Sequence, residues 1–119
     1  MRDDLQRLQD MLEAVDRIER RADINRVAFD SDELIQTWMA HHLQIVGEAA
    51  SRLSEELRSR HQDVPWAAIS AMRNVIVHAY FRVDNDEVWS TVVRDIPPLK
   101  SKLSAVLAAE FPEEKPAGD

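Results

Sequence analysis

The chain contains no cysteine among its 119 residues, which excludes a disulfide framework, thiolate metal sites and a cysteine nucleophile. It has only two glycines, Gly47 and Gly118, too few for the glycine-rich loops that hold nucleotide phosphates. Nowhere does it approach the ~20 consecutive apolar residues that a membrane span requires. Residues 1–5 alternate charge with leucine and contain no apolar signal core. We therefore expect a cytoplasmic protein.

The length predicts one domain, because a chain of this size can bury one substantial core but not two. Hydrophobic residues make up 45% and charged residues 31%, a balance typical of globular rather than disordered chains. We expect a single helical domain over residues 1–111. Residues 112–119 are rich in proline and charge and predict a disordered tail.

The net charge of −7 argues against a protein that coats nucleic acid nonspecifically. Its distribution is uneven, since residues 52–82 carry 5 Lys/Arg against 3 Asp/Glu and both flanking parts are acidic. This basic stretch has two interpretations: a local site for a polyanion, or solvated helix faces that are basic by chance. Charge alone leaves both open.

Apolar residues recur every three or four positions along most of the chain, which indicates amphipathic helices. The predicted helices cover about residues 2–22, 30–60 and 65–78, and a fourth opens at Asp84 and is kinked or broken at Pro97-Pro98. Asp84 and Glu87 have the spacing of a capping box, and residues 80–84 form a short loop before them. We therefore predict an all-α fold, a four- to five-helix up-and-down bundle.

Each predicted helix has an apolar stripe that should face the core. The stripes are Leu5, Leu8, Leu12, Val15, Ile18 and Ala22 in the first helix; Leu34, Trp38, His42, Ile45, Ala49, Leu53 and Leu57 in the second; Trp66, Ile69, Met72 and Ile76 in the third; and Val88, Val92, Ile96, Leu99, Leu103 and Val106 in the fourth. Gly47 interrupts the second helix and predicts a close approach of another helix there.

The most unusual polar residues of the chain are concentrated between Met72 and Tyr80. Arg73, Asn74 and His78 interrupt an apolar run, and Tyr80 is the only tyrosine. On an ideal helix Asn74 and His78 share a face, whereas Arg73 and His78 lie about 140° apart around the axis. The last two side chains can converge only if the helix ends or distorts near His78, or if two chains share the site.

These residue types suit RNA cleavage without a metal. A histidine, with an ordinary pKa of ~6.5, can take the proton of a 2′-hydroxyl or protonate a leaving oxygen. A guanidinium can bind the phosphate and stabilise the charge that develops on it. Separate acid and base require two proton carriers, and a twofold dimer would supply two copies of His78.

A purely structural interpretation accounts for the same residues. Arg and His near the C-terminal end of a helix interact favourably with its dipole, and Asn74 and His78 could form a hydrogen bond that only stabilises the fold.

The order of these residues resembles the HepT-like (DUF86) branch of the HEPN superfamily. The resemblance is carried by Val64-Pro-Trp66 and by Met72-Arg-Asn-Val-Ile-Val-His-Ala-Tyr80, which matches the pattern of Arg, a polar residue, three mostly apolar residues, His, any residue and Tyr. Further matches are Ile45-Val-Gly-Glu-Ala49, Val83-Asp84, Val88-Trp89 and Ile96-Pro-Pro-Leu99. The resemblance covers about residues 1–107.

The resemblance implies an all-helical homodimer that acts as the toxin of a type VII-like HEPN/MNT toxin–antitoxin system. It implies a metal-independent endoribonuclease without cofactors that cleaves tRNA or mRNA at a composite dimer site. Arg73 and His78 take the catalytic positions and Asn74 the supporting polar position. Tyr80 takes the position that a minimal nucleotidyltransferase (MNT) antitoxin modifies with AMP, and the added charge would repel RNA.

Two other functions stay open from the sequence. The chain could be a non-catalytic substrate-binding subunit of a nucleotidyltransferase, since its negative charge suits protein contact. It could also be a dimeric helical bundle in which Arg73 and His78 are structural.

The remaining histidines are weaker site candidates. His41 and His42 are adjacent on the second helix and point about 100° apart, which makes them a poor metal pair. We expect one of them in the core or facing the RNA groove, and His61 on the surface of a connector.

Other polar and aromatic residues have simpler interpretations. Asp3, Asp4 and Asp10 form no compact ligand set and are expected on a solvated face. Trp38, Trp66 and Trp89 are expected to anchor the core or a dimer interface rather than to stack on bases.

Overall fold

The computed structural model describes residues 2–77 and 82–114, without the side chains of Arg2 and Val77. Its α-helices are α1 (Arg2–Arg20), α2 (Arg26–Asp30), α3 (Glu33–Ser51), α4 (Glu55–Arg60), α5 (Trp66–Ser70), α6 (Asn85–Ser90) and α7 (Leu99–Glu110). A 3₁₀ turn spans Ala71–Asn74, a π-helical turn spans Thr91–Asp95, and the short strands β1 (Ile76–Val77) and β2 (Arg82–Val83) pair antiparallel. The fold is an all-α bundle, as predicted.

Three long helices organise the bundle: α1 packs against both α3 and α7, and α3 also packs against α5 and the 3₁₀ turn. The apolar stripes predicted for the first and fourth helices are confirmed. In the third, Trp66, Ile69 and Met72 are buried as predicted, but Val75 rather than Ile76 joins the core, because the helix has already ended. The side chains with the least exposure include Leu8, Met11, Val15, Ile18, Leu43, Val46, Ile69, Val88, Ile96 and Leu103. Within the described residues, no helix combines the length and apolarity needed to cross a membrane.

The second predicted helix is not continuous, and this prediction was wrong. It ends at Ser51 and a new helix begins at Glu55. Ser54 caps the new helix, because its side chain accepts a hydrogen bond from the Leu57 amide. Asp4 fixes this start: its carboxylate accepts bonds from the Ser54 amide at 2.9 Å and the Ser54 hydroxyl at 2.6 Å.

Two further residues were misplaced by the sequence patterns. Asp4 is 3% exposed rather than solvated, because it joins the start of α1 to the start of α4. Leu34 is 84% exposed rather than in the core, because it lies in the first turn of α3, ahead of the buried residues that begin at Met39.

Helix ends later in the chain follow their predicted signals. Asp84 caps α6 by accepting a hydrogen bond from the Glu87 amide, as the capping spacing predicts. The predicted break at Pro97-Pro98 is confirmed, since α7 begins at Leu99. The short helix α2 was not predicted; Asn25 caps it through a bond from the Ala28 amide.

The third predicted helix ends several residues earlier than expected. It tightens into the 3₁₀ turn and stops at Asn74, where residues 75–77 are β-branched and favour extended backbone. Ile76 pairs with Val83, and the Asp84 amide donates to the Val75 carbonyl at 2.7 Å. Part of the predicted loop at residues 80–84 is therefore strand β2.

The three tryptophans contact the core, as expected. Trp66 is buried, and its indole N–H donates to the His61 carbonyl at 2.9 Å. Trp38 and Trp89 are half-buried against the core.

Candidate active site

The 3₁₀ turn that carries Arg73 lies directly against α3 at Gly47. A β-carbon at Gly47 would stand 2.6 Å from the Arg73 amide nitrogen and 2.9 Å from the Ser70 carbonyl oxygen. Both atoms belong to backbone, which cannot move without displacing the turn. The close approach predicted from Gly47 is confirmed, and it sets the position of the Arg73 backbone.

Arg73 reaches along α3 to the turn that follows Gly47. Its Nη1 donates to Glu48 Oε2 at 3.1 Å and to Ser51 Oγ at 3.0 Å. The Arg73 side chain remains 44% exposed. One nitrogen of the guanidinium is thus held by α3, and solvent reaches a large part of the side chain.

Glu48 binds two arginines at once. Arg52 Nε donates to Glu48 Oε1 at 3.0 Å, while Arg73 occupies the other carboxylate oxygen. The bond from Arg52, and after it the bond from Arg73, holds the pKa of the Glu48 carboxyl below its ordinary value. Glu48 is therefore a fixed negative charge between two guanidinium groups.

Arg73 and Asn74 line one open groove, which we call the site groove. Gln44 and Glu48 of α3 form its other wall, and its volume is about 440 Å³. Asn74 is exposed. The groove can receive an anionic group at Arg73 beside an amide that can donate or accept a hydrogen bond.

The structure thus brings together two of the four residues predicted for the site. His78 and Tyr80 lie outside the described residues. The helix that carries Arg73 ends at Asn74; whether Arg73 and His78 converge stays a prediction.

Sequence reasoning missed the partners of Arg73 on α3. Glu48 belongs to the Ile45–Ala49 motif, but no motif marks its partner Ser51 or the groove residue Gln44. A usable signal was present: Gly47 marks where another segment approaches α3, so the polar residues one turn either side of it are candidate contacts.

The other histidines occupy different parts of the molecule. His42 is 4% exposed, and its Nδ1 donates to the Trp38 carbonyl at 2.8 Å, whereas His41 is exposed. One of this pair is therefore in the core, as predicted. His61 is not on the surface as expected: its side chain is 16% exposed and its Nε2 lies 2.7 Å from Glu110 Oε2.

No group of three or more His, Asp or Glu side chains lies close enough to hold a metal ion within residues 2–77 and 82–114.

Comparison with known proteins identifies the family. The family model for "Ribonuclease HepT-like" matches residues 11–106. The "Probable ribonuclease HepT" of Thermococcus cleftensis is 36% identical over 97 residues, covering 81% of this chain and 88% of its own. No solved structure gives a significant match.

Two further relatives carry related names. The "Putative RNase TTE0752" of Caldanaerobacter subterraneus is 34% identical over 93 residues, covering 78% of this chain and 83% of its own. The "Putative RNase MJ1380" of Methanocaldococcus jannaschii is 32% identical over 100 residues, covering 83% and 92%. The match of the family model extends over most of the chain and includes Arg73, Asn74 and the groove wall on α3. The chain belongs to the HepT-like ribonuclease family.

Proposed function

We propose that the protein is a metal-independent endoribonuclease, the cytoplasmic toxin of a HEPN/MNT toxin–antitoxin pair. The observation that carries the proposal is the placement of Arg73, held against α3 at Gly47 and presented in an open groove beside Asn74. Membership of a ribonuclease family supports RNA as the substrate.

Arg73 binds the scissile phosphate in this mechanism. The Glu48–Arg73 ion pair is largely exposed, and exposed ion pairs contribute little to stability because water screens them. A phosphate can therefore take the free N–H groups of Arg73, or replace Glu48, at little cost. The guanidinium then stabilises the negative charge that builds up on the phosphoryl oxygens.

His78 moves the proton. Its imidazole accepts the proton of the 2′-hydroxyl as the 2′-oxygen bonds to phosphorus, and the bond from phosphorus to the 5′-oxygen breaks. The leaving 5′-oxygen takes a proton from a second carrier, for which we propose His78 of a second copy in a homodimer. The products are a 2′,3′-cyclic phosphate and a free 5′-hydroxyl. Asn74 supports the phosphate by hydrogen bonding.

Tyr80 is the proposed control point. Its phenolic oxygen attacks the α-phosphorus of ATP in the active site of an MNT antitoxin, which releases pyrophosphate and leaves AMP on the tyrosine. Tyr80 is two residues from His78, so the added charge would repel RNA from the site. Coexpression with a cognate MNT protein should raise the intact mass by AMP units. Tyr80→Phe should abolish the increase, and an unchanged wild-type mass would contradict this step.

A second function is favoured by the net charge of −7, which suits protein contact better than RNA contact. The chain would then be a non-catalytic substrate-binding subunit of a nucleotidyltransferase. It would form a stable complex with that enzyme and would cleave no RNA.

The test is cleavage of end-labelled tRNA and mRNA in EDTA by the wild type, His78→Ala and the matched control His61→Gln. Intact mass must first show that Tyr80 is unmodified. We expect the wild type and His61→Gln to cleave and His78→Ala to be inactive, with all three folded by circular dichroism. Equal cleavage by His78→Ala would refute the assignment of His78, and an inactive wild type would favour the partner-subunit function.

A further inference from the structure

A second groove shares the wall formed by Gln44 and Glu48. Its volume is about 380 Å³, and it runs between α1 and α3. The polar residues that line it are Arg7, Asp10, His41, Gln44, Glu48 and Arg52. Because Gln44 and Glu48 also line the site groove, the two depressions adjoin each other. We call this second depression the α1–α3 groove.

Arg7 lines this groove without an evident role in stabilising the fold. It forms no hydrogen bond or ion pair with any residue that the structure describes. Asp10, which lines the same groove, instead accepts a hydrogen bond from the side-chain Nε2 of Gln6 at 2.9 Å. A cationic side chain without a described partner, lining a concave surface, is available to an anionic ligand.

The charge around the two grooves is opposite in sign to that of the whole chain. Three arginines, at positions 7, 52 and 73, face two carboxylates, those of Asp10 and Glu48. Glu48 is already bonded to two of these arginines. A local excess of positive charge thus exists on a chain whose net charge is −7.

We propose that the α1–α3 groove binds the sugar-phosphate backbone of the RNA strand that flanks the scissile phosphate. Arg7 and Arg52 contact successive phosphates at one end of the groove, and the exposed imidazole of His41 contacts the strand at the other end, one turn before Gln44. This inference rests on the proposed RNA-cleaving function and adds to it a path for the substrate.

The dimensions agree with more than one phosphate contact. His41 and Arg52 are separated by about 16 Å along α3, at 1.5 Å per residue. Arg52 is 58% exposed in its pair with Glu48, so it can turn to a phosphate at little cost. Each phosphate contact on a single strand releases counterions and adds about −0.7 to the slope of log affinity against log salt concentration.

The test measures binding separately from cleavage. A fluorescent single-stranded oligonucleotide with 2′-deoxy substitutions, which cannot be cleaved, is titrated by anisotropy at several salt concentrations. The proteins are the wild type, Arg7→Gln, His41→Ala and the control Arg20→Gln, an α1 arginine that is 74% exposed and paired with Asp16. Cleavage of unmodified RNA and the oligomeric state are measured for the same four proteins.

We expect Arg7→Gln to weaken binding about fivefold and to reduce the salt slope by about 0.7. His41→Ala should also weaken binding, and Arg20→Gln should bind like the wild type. Unchanged binding by Arg7→Gln and His41→Ala would overturn the inference, even if RNA cleavage by the wild type is normal. A change of oligomeric state in the Arg7 variant would overturn it in favour of a contact between copies.

The two proposals fail in different ways. If Arg7→Gln weakens binding of the oligonucleotide but the wild type cleaves no RNA, the ribonuclease function is refuted and the α1–α3 groove is retained as an RNA-binding site. If the wild type cleaves RNA and Arg7→Gln binds the oligonucleotide as tightly as the wild type, the ribonuclease function is retained and the proposed role of the α1–α3 groove is refuted.

Discussion

Gly47 and Arg73, 26 residues apart in the chain, are in direct backbone contact: a β-carbon on the glycine would lie 2.6 Å from the arginine amide nitrogen. Because Gly47 has no side chain, the backbone of Arg73, the proposed phosphate-binding residue, can lie directly against α3. This contact links the packing of the bundle to the geometry of the site.

Gly47→Ala should impair both stability and activity. Alanine ordinarily favours a helix over glycine by about 1 kcal/mol, but here its methyl group meets backbone atoms of Arg73 and Ser70. Overpacking of this kind costs about 1–3 kcal/mol, so we expect net destabilisation and displacement of the 3₁₀ turn. Chemical denaturation and initial cleavage rates measure the two effects. Ala108→Ser, which adds one atom at an exposed position of α7, should change neither; equal or greater stability of Gly47→Ala would contradict the close contact.

Removing the carboxylate of Asp4 should destabilise the fold, whereas removing that of Asp3 should not. Its buried carboxylate satisfies both the amide and the hydroxyl of Ser54. Asp4→Ala leaves these groups unpaired at the start of α4 and should lower the free energy of unfolding by about 2–3 kcal/mol. Asp3→Ala, at an exposed position one residue earlier, should change it by less than about 0.5 kcal/mol. Equal effects of the two variants in urea denaturation would refute the interaction.

Glu110 predicts a pH-dependent contribution to stability. Its carboxyl pKa is lowered to about 2 from 4.5, chiefly by the bonds from Arg60 and then by His61. The depressed folded-state pKa means that the contribution is present above about pH 4.5 and is lost as the pH falls toward 2. The difference between the two pKa values corresponds to at most about 3–4 kcal/mol, and solvent screening lowers the contribution to about 2 kcal/mol.

Glu110→Gln should therefore lower the free energy of unfolding by about 2 kcal/mol at pH 7, and by progressively less as the pH falls below 4.5. Urea denaturation at pH 7, 5 and 3 measures the change. Glu113→Gln, at an exposed position, is the control and should have little effect. A loss of stability that is independent of pH would show that packing, rather than charge, explains the effect of Glu110.

Much of the fold could be predicted from the sequence because helices bury apolar residues at a regular spacing. The capping residue Asp84 and the break at Pro97-Pro98 are local signals, and both are confirmed. The break after Ser51 could not be found in this way. Apolar residues continue at four-residue spacing across it, and it is stabilised by Asp4, 50 residues away from Ser54.

In the candidate site, too, local signals could be read from the sequence and long-range contacts could not. The motif and the chemistry of their side chains make Arg73 and Asn74 candidate site residues, and the two line one groove. The role of Glu48 could not, because its bond to Arg73 spans 25 residues and depends on the close approach at Gly47. Local sequence patterns therefore suggest which groups could react, while tertiary packing determines the groups that hold them in place.

The most direct test of the account is the rate at which Arg73→Gln cleaves RNA in EDTA, with Arg94→Gln as the control. Both arginines are exposed and paired with a carboxylate, but only Arg73 lines the site groove. Loss of a guanidinium that stabilises the transition state should lower kcat at least 100-fold, with the fold retained. Arg94→Gln should cleave like the wild type. Cleavage by Arg73→Gln at the wild-type rate would contradict the assignment of the active site.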